Sequence, residues 1–354
     1  MKTRIVTGLI FVFLFAAFSL PLSAQEEPLS HEGATAFDAS SFILDHIADS
    51  HEWHILTKRD GKEVAIYLPV ILYSREKGFD VFSSKRLAYG HEYKGYKLEE
   101  AGDLKGKILN VNDAGIMDEK MRPLDFSITK TVVGMMAAAL LGLWLFISLS
   151  RSYKKTGISY PKGIQRFLEP AVLFIRDDIA IPNLGIHKYE KYMPYLLSAF
   201  FFILINNLMG LIPFPPPFGA NVTGNIALTF VLAVCTFLIT QFSGNKTYWK
   251  HIFAAPGVPF WLLPVMIPVE LIGLISKPFA LMIRLFANIT AGHIIVLSLL
   301  CLIFIFGSVW ISPLSAVFVI FMDCLELLVA FLQAYIFTLL SALFISMAMP
   351  EEHH

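Results

Sequence analysis

Residues 260–306 read FWLLPVMIPVELIGLISKPFALMIRLFANITAGHIIVLSLLCLIFIF, 47 residues in which the only charges are Glu270, Lys277 and Arg284. As a helix this run is about 70 Å long, more than twice the ~30 Å apolar core of a bilayer. A second such run, 314–349, has 36 residues and two charges, Asp323 and Glu326, and would reach about 54 Å. Neither fits upright in a bilayer, so both are expected to be tilted, bent or partly outside it. Pro264, Pro268 and Pro278 offer the first run places to bend or break.

Working outward, three shorter spans precede them. Residues 131–150 are 20 without a charge, 193–213 follow, and 225–242 end near Gly244, each long enough to cross. Arg151, Lys154, Lys155 and Lys162 come straight after the first span, and Lys246 and Lys250 after the third. Cations gather on the cytoplasmic side, which predicts an outer N-terminus and, with five crossings, a cytoplasmic C-terminus. Were the 260–306 run a hairpin, the C-terminus would flip. Residues 163–191 mix charges with Phe167, Leu168, Val172, Leu173 and Phe174 and read as an amphipathic segment on the inner surface.

Upstream the character changes. Residues 1–24 have Lys2 and Arg4, an apolar run to Leu20 and small residues before Gln25, the layout of a secretory signal. Cleavage is expected, because the apolar run is shorter than the ~20 residues of a span. Residues 25–126 then have the composition of a small extracytoplasmic soluble domain, with alternation at 63–68 and 79–82 that predicts short strands. An amphipathic stretch, 42–55, carries His46, His51 and His54 with Asp45 and Asp49. These are metal-ligating types, but no ligand spacing is matched and a solvated helix face is the reading adopted. No metal or cofactor is expected.

The whole chain of 354 residues is 56% hydrophobic and 16% charged, with 28 cationic and 28 acidic side chains. Such composition excludes disorder, a coiled coil and an ordinary cytosolic enzyme. The absence of a basic excess argues against a nucleic-acid partner. Only seven of the 56 charges fall between Met193 and Pro350. The three cysteines, Cys235, Cys301 and Cys324, lie in apolar runs and encode no disulfide framework. The expected fold is therefore mainly α, a polytopic membrane protein of about five transmembrane helices with the last two long and tilted. Residues 127–354 form that membrane domain, and 25–126 a small domain with β-strands.

Ionisable residues at membrane depth are costly and mark function. Glu270, Lys277 and Arg284 are seven apart, a drift of about 20° per step on a helix, and Asn288 shares the face of Arg284. His293, nine past Arg284, falls on the opposite side. Glu326 and Gln333 lie seven apart on the last segment, and Asp323 precedes Glu326 by three. A buried histidine and a buried glutamate on adjacent helices can exchange a proton. Arg284 cannot, since its guanidinium stays charged; it can block protons and favour the ionised form of a nearby carboxylate. Bland alternatives stand beside these: Lys277 reaching the inner surface, Asp323 solvated at the outer boundary, Gln333 as helix-packing glue.

The string Ser276-Lys277-Pro278-Phe279-Ala280-Leu281-Met282-Ile283-Arg284-Leu285-Phe286-Ala287-Asn288-Ile289-Thr290-Ala291-Gly292-His293 resembles the signature of subunit a of F-type ATP synthases. Leu332-Gln333-Ala334-Tyr335-Ile336-Phe337 continues it, as do Ser346-Met347-Ala348, Pro194-Tyr195, 207–213 and Asn221-Val222-Thr223. The likeness spans roughly 163–352. It implies the non-catalytic, proton-translocating stator subunit of the membrane sector. Arg284 then matches the essential arginine facing the carboxylates of a rotating ring of c subunits, and Gln333 the glutamine near it. Asn288, His293, Glu326 and Glu270 match polar residues lining two offset half-channels. In many relatives the acid occupies the position of His293, and some carry histidine at that of Glu326; here the arrangement is exchanged, and which of the two holds the proton stays open. The implied partners are the c ring, the b-subunit peripheral stalk, the rest of the synthase and the lipid bilayer. The implied location is a bacterial inner membrane, N-terminal domain periplasmic and C-terminus cytoplasmic. Residues 25–125 are outside the common pattern.

Two other classes compete. A secondary transporter with a buried Arg–Glu site predicts internal repeats and paired broken helices, and no repeat relates the halves. An intramembrane enzyme would need more membrane histidines than His293 for haem, or a Gly-x-Ser-x-Gly nucleophile turn, and neither is present.

Overall fold

A computed structural model describes residues 38–57, 63–75, 77–99, 102–111, 117–118, 122–156, 163–212, 215–253, 259–306 and 311–350. The signal expected at 1–24 lies outside them.

The described chain opens with helix α1 (Ala39–Ile47). Asp38 caps it, its Oδ1 accepting from the amides of Ser40 at 3.0 Å and Ser41 at 3.3 Å. That bonding holds the Asp38 carboxyl below its usual range. The helix stops where Ala48 turns extended, so the amphipathic stretch expected over 42–55 is not one element. Its second half joins strand β1 (Glu52–Thr57), because Trp53 is drawn into a buried contact described below.

Seven further strands follow: β2 (Glu63–Tyr67), β3 (Pro69–Ser74), β4 (Gly78–Ser83), β5 (Tyr96–Leu98), β6 (Ile108–Val111), β7 (Met117–Asp118) and β8 (Leu124–Asp125). They form three small antiparallel sheets, β1-β2, β4-β3-β8 and β5-β6-β7. Alternation works as expected of half-buried strands: β3 buries Val70, Leu72 and Ser74, and β4 buries Asp80 and Phe82. Val70, Leu72, Phe82, Leu87, Tyr96 and Ile108 make the core. The buried Asp80 is paired, as it must be, with Lys94 and with the Tyr96 hydroxyl at 3.3 Å. The Lys94 ammonium holds the Asp80 carboxyl below its ordinary range.

Among the described residues five helices are long and apolar enough to cross a membrane. They are α2 (Lys130–Thr156), α5 (Tyr189–Leu211), α6 (Ile226–Ser243), α8 (Leu263–Phe306) and α9 (Ile311–Met347). Helix α8 runs unbroken through Pro268 and Pro278, so the hairpin alternative is removed. The C-terminal end of α9 therefore sits beside the end of α6: Asn245 donates from its amide to Ala348 O at 3.1 Å and from Nδ2 to Pro350 O at 2.9 Å. Lys246 and Lys250 occupy the same end, on the short helix α7 (Lys246–Phe253).

The 163–191 stretch differs from the expected surface helix. Helix α3 (Ile164–Phe174) passes into a π-turn (Ile175–Ala180) and then α4 (Ile181–Leu184), ending at Gly185 with φ 78°. The wider turn advances the helix phase, and Leu168, Ile175, Ile179, Ala180 and Leu184 all enter the main core with Leu196, Phe200 and Ile203 of α5. Part of its apolar face thus meets protein, while Phe167, Leu173, Asp177 and Asp178 stay exposed.

Helix α9 turns a small-residue face, Ala330, Ala334, Thr338, Ser341 and Ala342, all buried, into the bundle. It packs against both α5 and α8. Small side chains allow close approach where lipid supplies no hydrophobic drive. Polar bonds tie the layers: Asn207 Nδ2 donates to Ala330 O at 3.2 Å and its Oδ1 accepts from Thr223 Oγ1 at 2.7 Å, and Tyr195 Oη shares a 2.6 Å bond with Thr236 Oγ1.

The strand-bearing region seats on the helices through Trp53, which is 6% exposed and packs with Ala220 and Val222. Gly134 of α2 leaves room for the same two side chains, since a Cβ there would stand 2.8 Å from Ala220 Cβ. Trp53→Ala should cost about 3 kcal/mol or more. The check is limited proteolysis of the membrane-inserted chain, with cleavage within 52–126 expected to quicken while the helical core resists.

Candidate functional site along helix α8

Helix α8 buries one face, Leu281, Met282, Leu285 and Ile289, against its neighbours. The opposite stripe is turned outward: Lys277, Ala280, Arg284, Ala287, Asn288 and Ala291 are exposed, with Glu270 half-buried. The seven-residue spacing holds its face through Pro278 because the helix is continuous there. Arg284 has no hydrogen bond or ion pair among the described residues. Its own chain surrounds it with alanines, whose size admits another helix closely. Lys277 lies 5.9 Å from the Phe344 ring and lines a small cleft of about 30 Å³ with Thr236, Thr240, Gln241 and Tyr248. That cleft belongs to the α7 end of the bundle.

His293 faces the other way, as its spacing from Arg284 predicts. Its Nδ1 stands 3.4 Å from Glu326 Oε1, with side-chain exposures of 20% and 5%. The contact is close enough for charge attraction, yet Glu326 Oε1 has no properly directed hydrogen bond within the chain. A buried acceptor without a directed bond is uncommon and marks the position for attention. Two glycines make the space. A Cβ on Gly292 would meet Glu326 Oε1 at 2.9 Å, and one on Gly210 would stand 3.7 Å from His293 Nε2.

Of the six residues singled out from sequence, His293 and Glu326 are brought together. Arg284 and Asn288 share the outward stripe with Glu270, and Gln333 is buried on α9 at 5% exposure. No bond joins Gln333 to Arg284 among the described residues. Gly292, Gly210, Asn207 and Thr223 stand in the strings quoted above, but their tasks escaped the sequence reading, since glycine signals room only once a neighbour is known. The histidine-rich stretch near the N-terminus is dispersed: His51 Nε2 pairs with Asp125 Oδ2 at 3.1 Å, Asp45 pairs with Lys105, and Asp49 caps α2. Among the described residues no three metal-ligating side chains converge.

Residues 132–346 match the model of the family described as ATP synthase A chain, and 42–126 match a domain of unknown function. The chain is 49% identical over 236 residues to ATP synthase subunit a of Chloroherpeton thalassium, covering 65% of this chain and 69% of that one. It is 50% identical over 231 residues to ATP synthase subunit a 2 of Chlorobaculum tepidum, covering 63% and 64%. With ATP synthase subunit a of Myxococcus xanthus it shares 47% over 238 residues, covering 65% and 76%.

Gly292→Ala should drive the Glu326 carboxylate away from His293. ATP-driven acidification of inverted vesicles, read by a quenched dye, is expected to fall severalfold, whereas Gly273→Ala, where a Cβ meets nothing, should leave it unchanged.

Proposed function

The chain belongs to the ATP synthase A chain family, and from that premise we propose that Arg284, Glu326, His293, Asn288, Gln333 and Glu270 form the stator side of its proton path. As a subunit a it is a non-catalytic membrane subunit of ATP synthase. The observation that carries the reading is Arg284, a permanent cation at membrane depth, exposed and without an acid partner among the described residues. Such a charge is tolerated only where a partner or water meets it. A carboxylate on a ring of c subunits supplies that partner.

The steps follow from charge. A proton entering one half-channel neutralises a ring carboxylate, which can then face lipid. After most of a turn the carboxyl meets Arg284, whose charge favours the ionised state, and the proton leaves by the other half-channel. The same guanidinium blocks a direct leak. The membrane potential contributes about 2.3 kcal/mol per proton per 100 mV, so several protons are needed for each ATP.

Positions along α8 support two offset routes. His293, with Glu326 beside it, is nine residues from Arg284, about 14 Å, and Glu270 is 14 residues the other way, about 21 Å. The cations at 151–155 and on α7 assign the Glu270 end to the cytoplasm. By the same rule the C-terminus is cytoplasmic and the 38–126 region lies in the periplasm of a bacterial inner membrane. The b-subunit stalk is the remaining partner of this reading. A transporter working alone would place its Arg–Glu site inward, whereas Arg284 faces out.

Arg284→Ala should abolish proton-coupled ATP synthesis in vesicles while the complex still assembles; retained coupling would overturn the role given to Arg284. For the pair, His293→Glu combined with Glu326→His should keep more coupling than either single change. A double variant no better than the singles would show that the two do not work as a unit.

A further inference from the structure

The membrane domain does not end at its own helices on the His293 side. Helix α1 packs directly against α8, and α1 and α2 cap one another. Asp49, just past α1, accepts from the Thr131 amide at 3.0 Å, and Ser50 O accepts from the Lys130 amide at 2.9 Å. Both are donors that a helix N-terminus leaves without an internal partner. In return Lys130 Nζ donates to His46 O at 3.2 Å, at the C-terminal end of α1 where a cation is favoured. From the strand side, Trp53 packs on Ala220. The Ala220 carbonyl and His293 Nε2 both border the space at Gly210, 3.4 and 3.7 Å from where a Cβ would stand. Ala220 thus lies between Trp53 of β1 and the space that His293 borders.

Chemistry converges there. His46 is exposed and Lys130 half-buried, and Lys130 stands one helical turn before Gly134, where a Cβ would meet Ala220 at 2.8 Å. Glu326 of α9 stands 3.4 Å from His293, with Asp323 three residues before it on the same helix; Lys130 of α2 reaches His46 of α1, and Asp49 caps α2 beside Lys130. Asp45, on α1, is occupied by Lys105. His46 and Lys130 fall outside the 132–346 stretch that carries the family likeness.

We propose that the 38–126 region is the outer vestibule of the proton path, with α1 laid against α8 as its wall, His46 as the titratable group that receives protons ahead of His293, and Lys130 as a fixed cation that sets how acid the outside must be. The proposal rests on the half-channel reading given above. Histidine suits the first task because it titrates near neutrality. Lys130 opposes an arriving proton, so proton entry gains from a lower external pH. The cap made by His46 uses its carbonyl oxygen, so a change of its side chain leaves that bond available.

The test uses the complete synthase in proteoliposomes whose lumen is the outer side. ATP synthesis is measured against luminal pH at constant total driving force. Lys130→Met should move the luminal-pH curve upward by about half to one unit, the effect of removing one nearby cation, and Lys130→Arg should leave it in place. His46→Gln should lower the rate at luminal pH 7 by about threefold or more, as expected on losing a group that titrates near neutrality. Arg284→Ala is run beside them. If Arg284→Ala still couples, the half-channel reading fails. If it is inactive while His46→Gln and Lys130→Met overlay the unmodified complex, only the vestibule is overturned. A curve shifted equally by Lys130→Arg and Lys130→Met also overturns it, since that marks a structural role. Should Lys130→Met not assemble, His46→Gln decides alone.

Discussion

A guanidinium that cannot lose its charge, placed at membrane depth with no acid beside it among the described residues, constrains most of what surrounds it. Arg284 must face outward to meet a partner, so the opposite side of α8 has to hold the helix in place. Leu281, Leu285 and Ile289 do so by burial, and α9 lies behind as a second long helix. Helices of 44 and 37 residues exceed an upright span and must tilt or extend beyond it. Tilt gives Arg284 an extended flank of alanines against which a curved partner can run.

The contact of His293 with Glu326 depends on a different use of space. A histidine and a glutamate on neighbouring helices meet only if the backbone beside them is bare, and Gly292 and Gly210 provide that. Burial would penalise Glu326 as an anion; His293 at 3.4 Å offers attraction without a well-directed bond. The polar locks elsewhere, Asn207 with Thr223 and Ala330, keep the three helices from sliding.

The strand-bearing region is joined to the helices by bonds that serve both partners. Asp49 and Ser50 satisfy amides at the start of α2, and Lys130 satisfies a carbonyl at the end of α1. Asp125, where the chain leaves β8, is bound by His51 and Ser127. Burial there opposes its charge, but those bonds outweigh it and hold its carboxyl below the usual range. Apart from the local bond of Asp125 with Ser127, each of these joins residues distant in sequence, and all but His51 with Asp125 use a backbone group.

Sequence alone determined the membrane class, the runs long enough to span, the shared stripe through Arg284 and the opposite placement of His293. Those follow from hydropathy over about 20 residues and from helical period, both local properties. It also carried the string that marks the family. Only the tertiary structure decided that α8 is continuous, that 163–184 packs into the bundle through a π-turn, and that 42–55 divides into a helix and a strand. It alone brought Glu326 to His293, and α1 to α8. The physical reason is common to all of these. A glycine that makes room, an aspartate that caps a helix 82 residues away, or a lysine beside a distant histidine acquires meaning only from a neighbour that the chain supplies by folding.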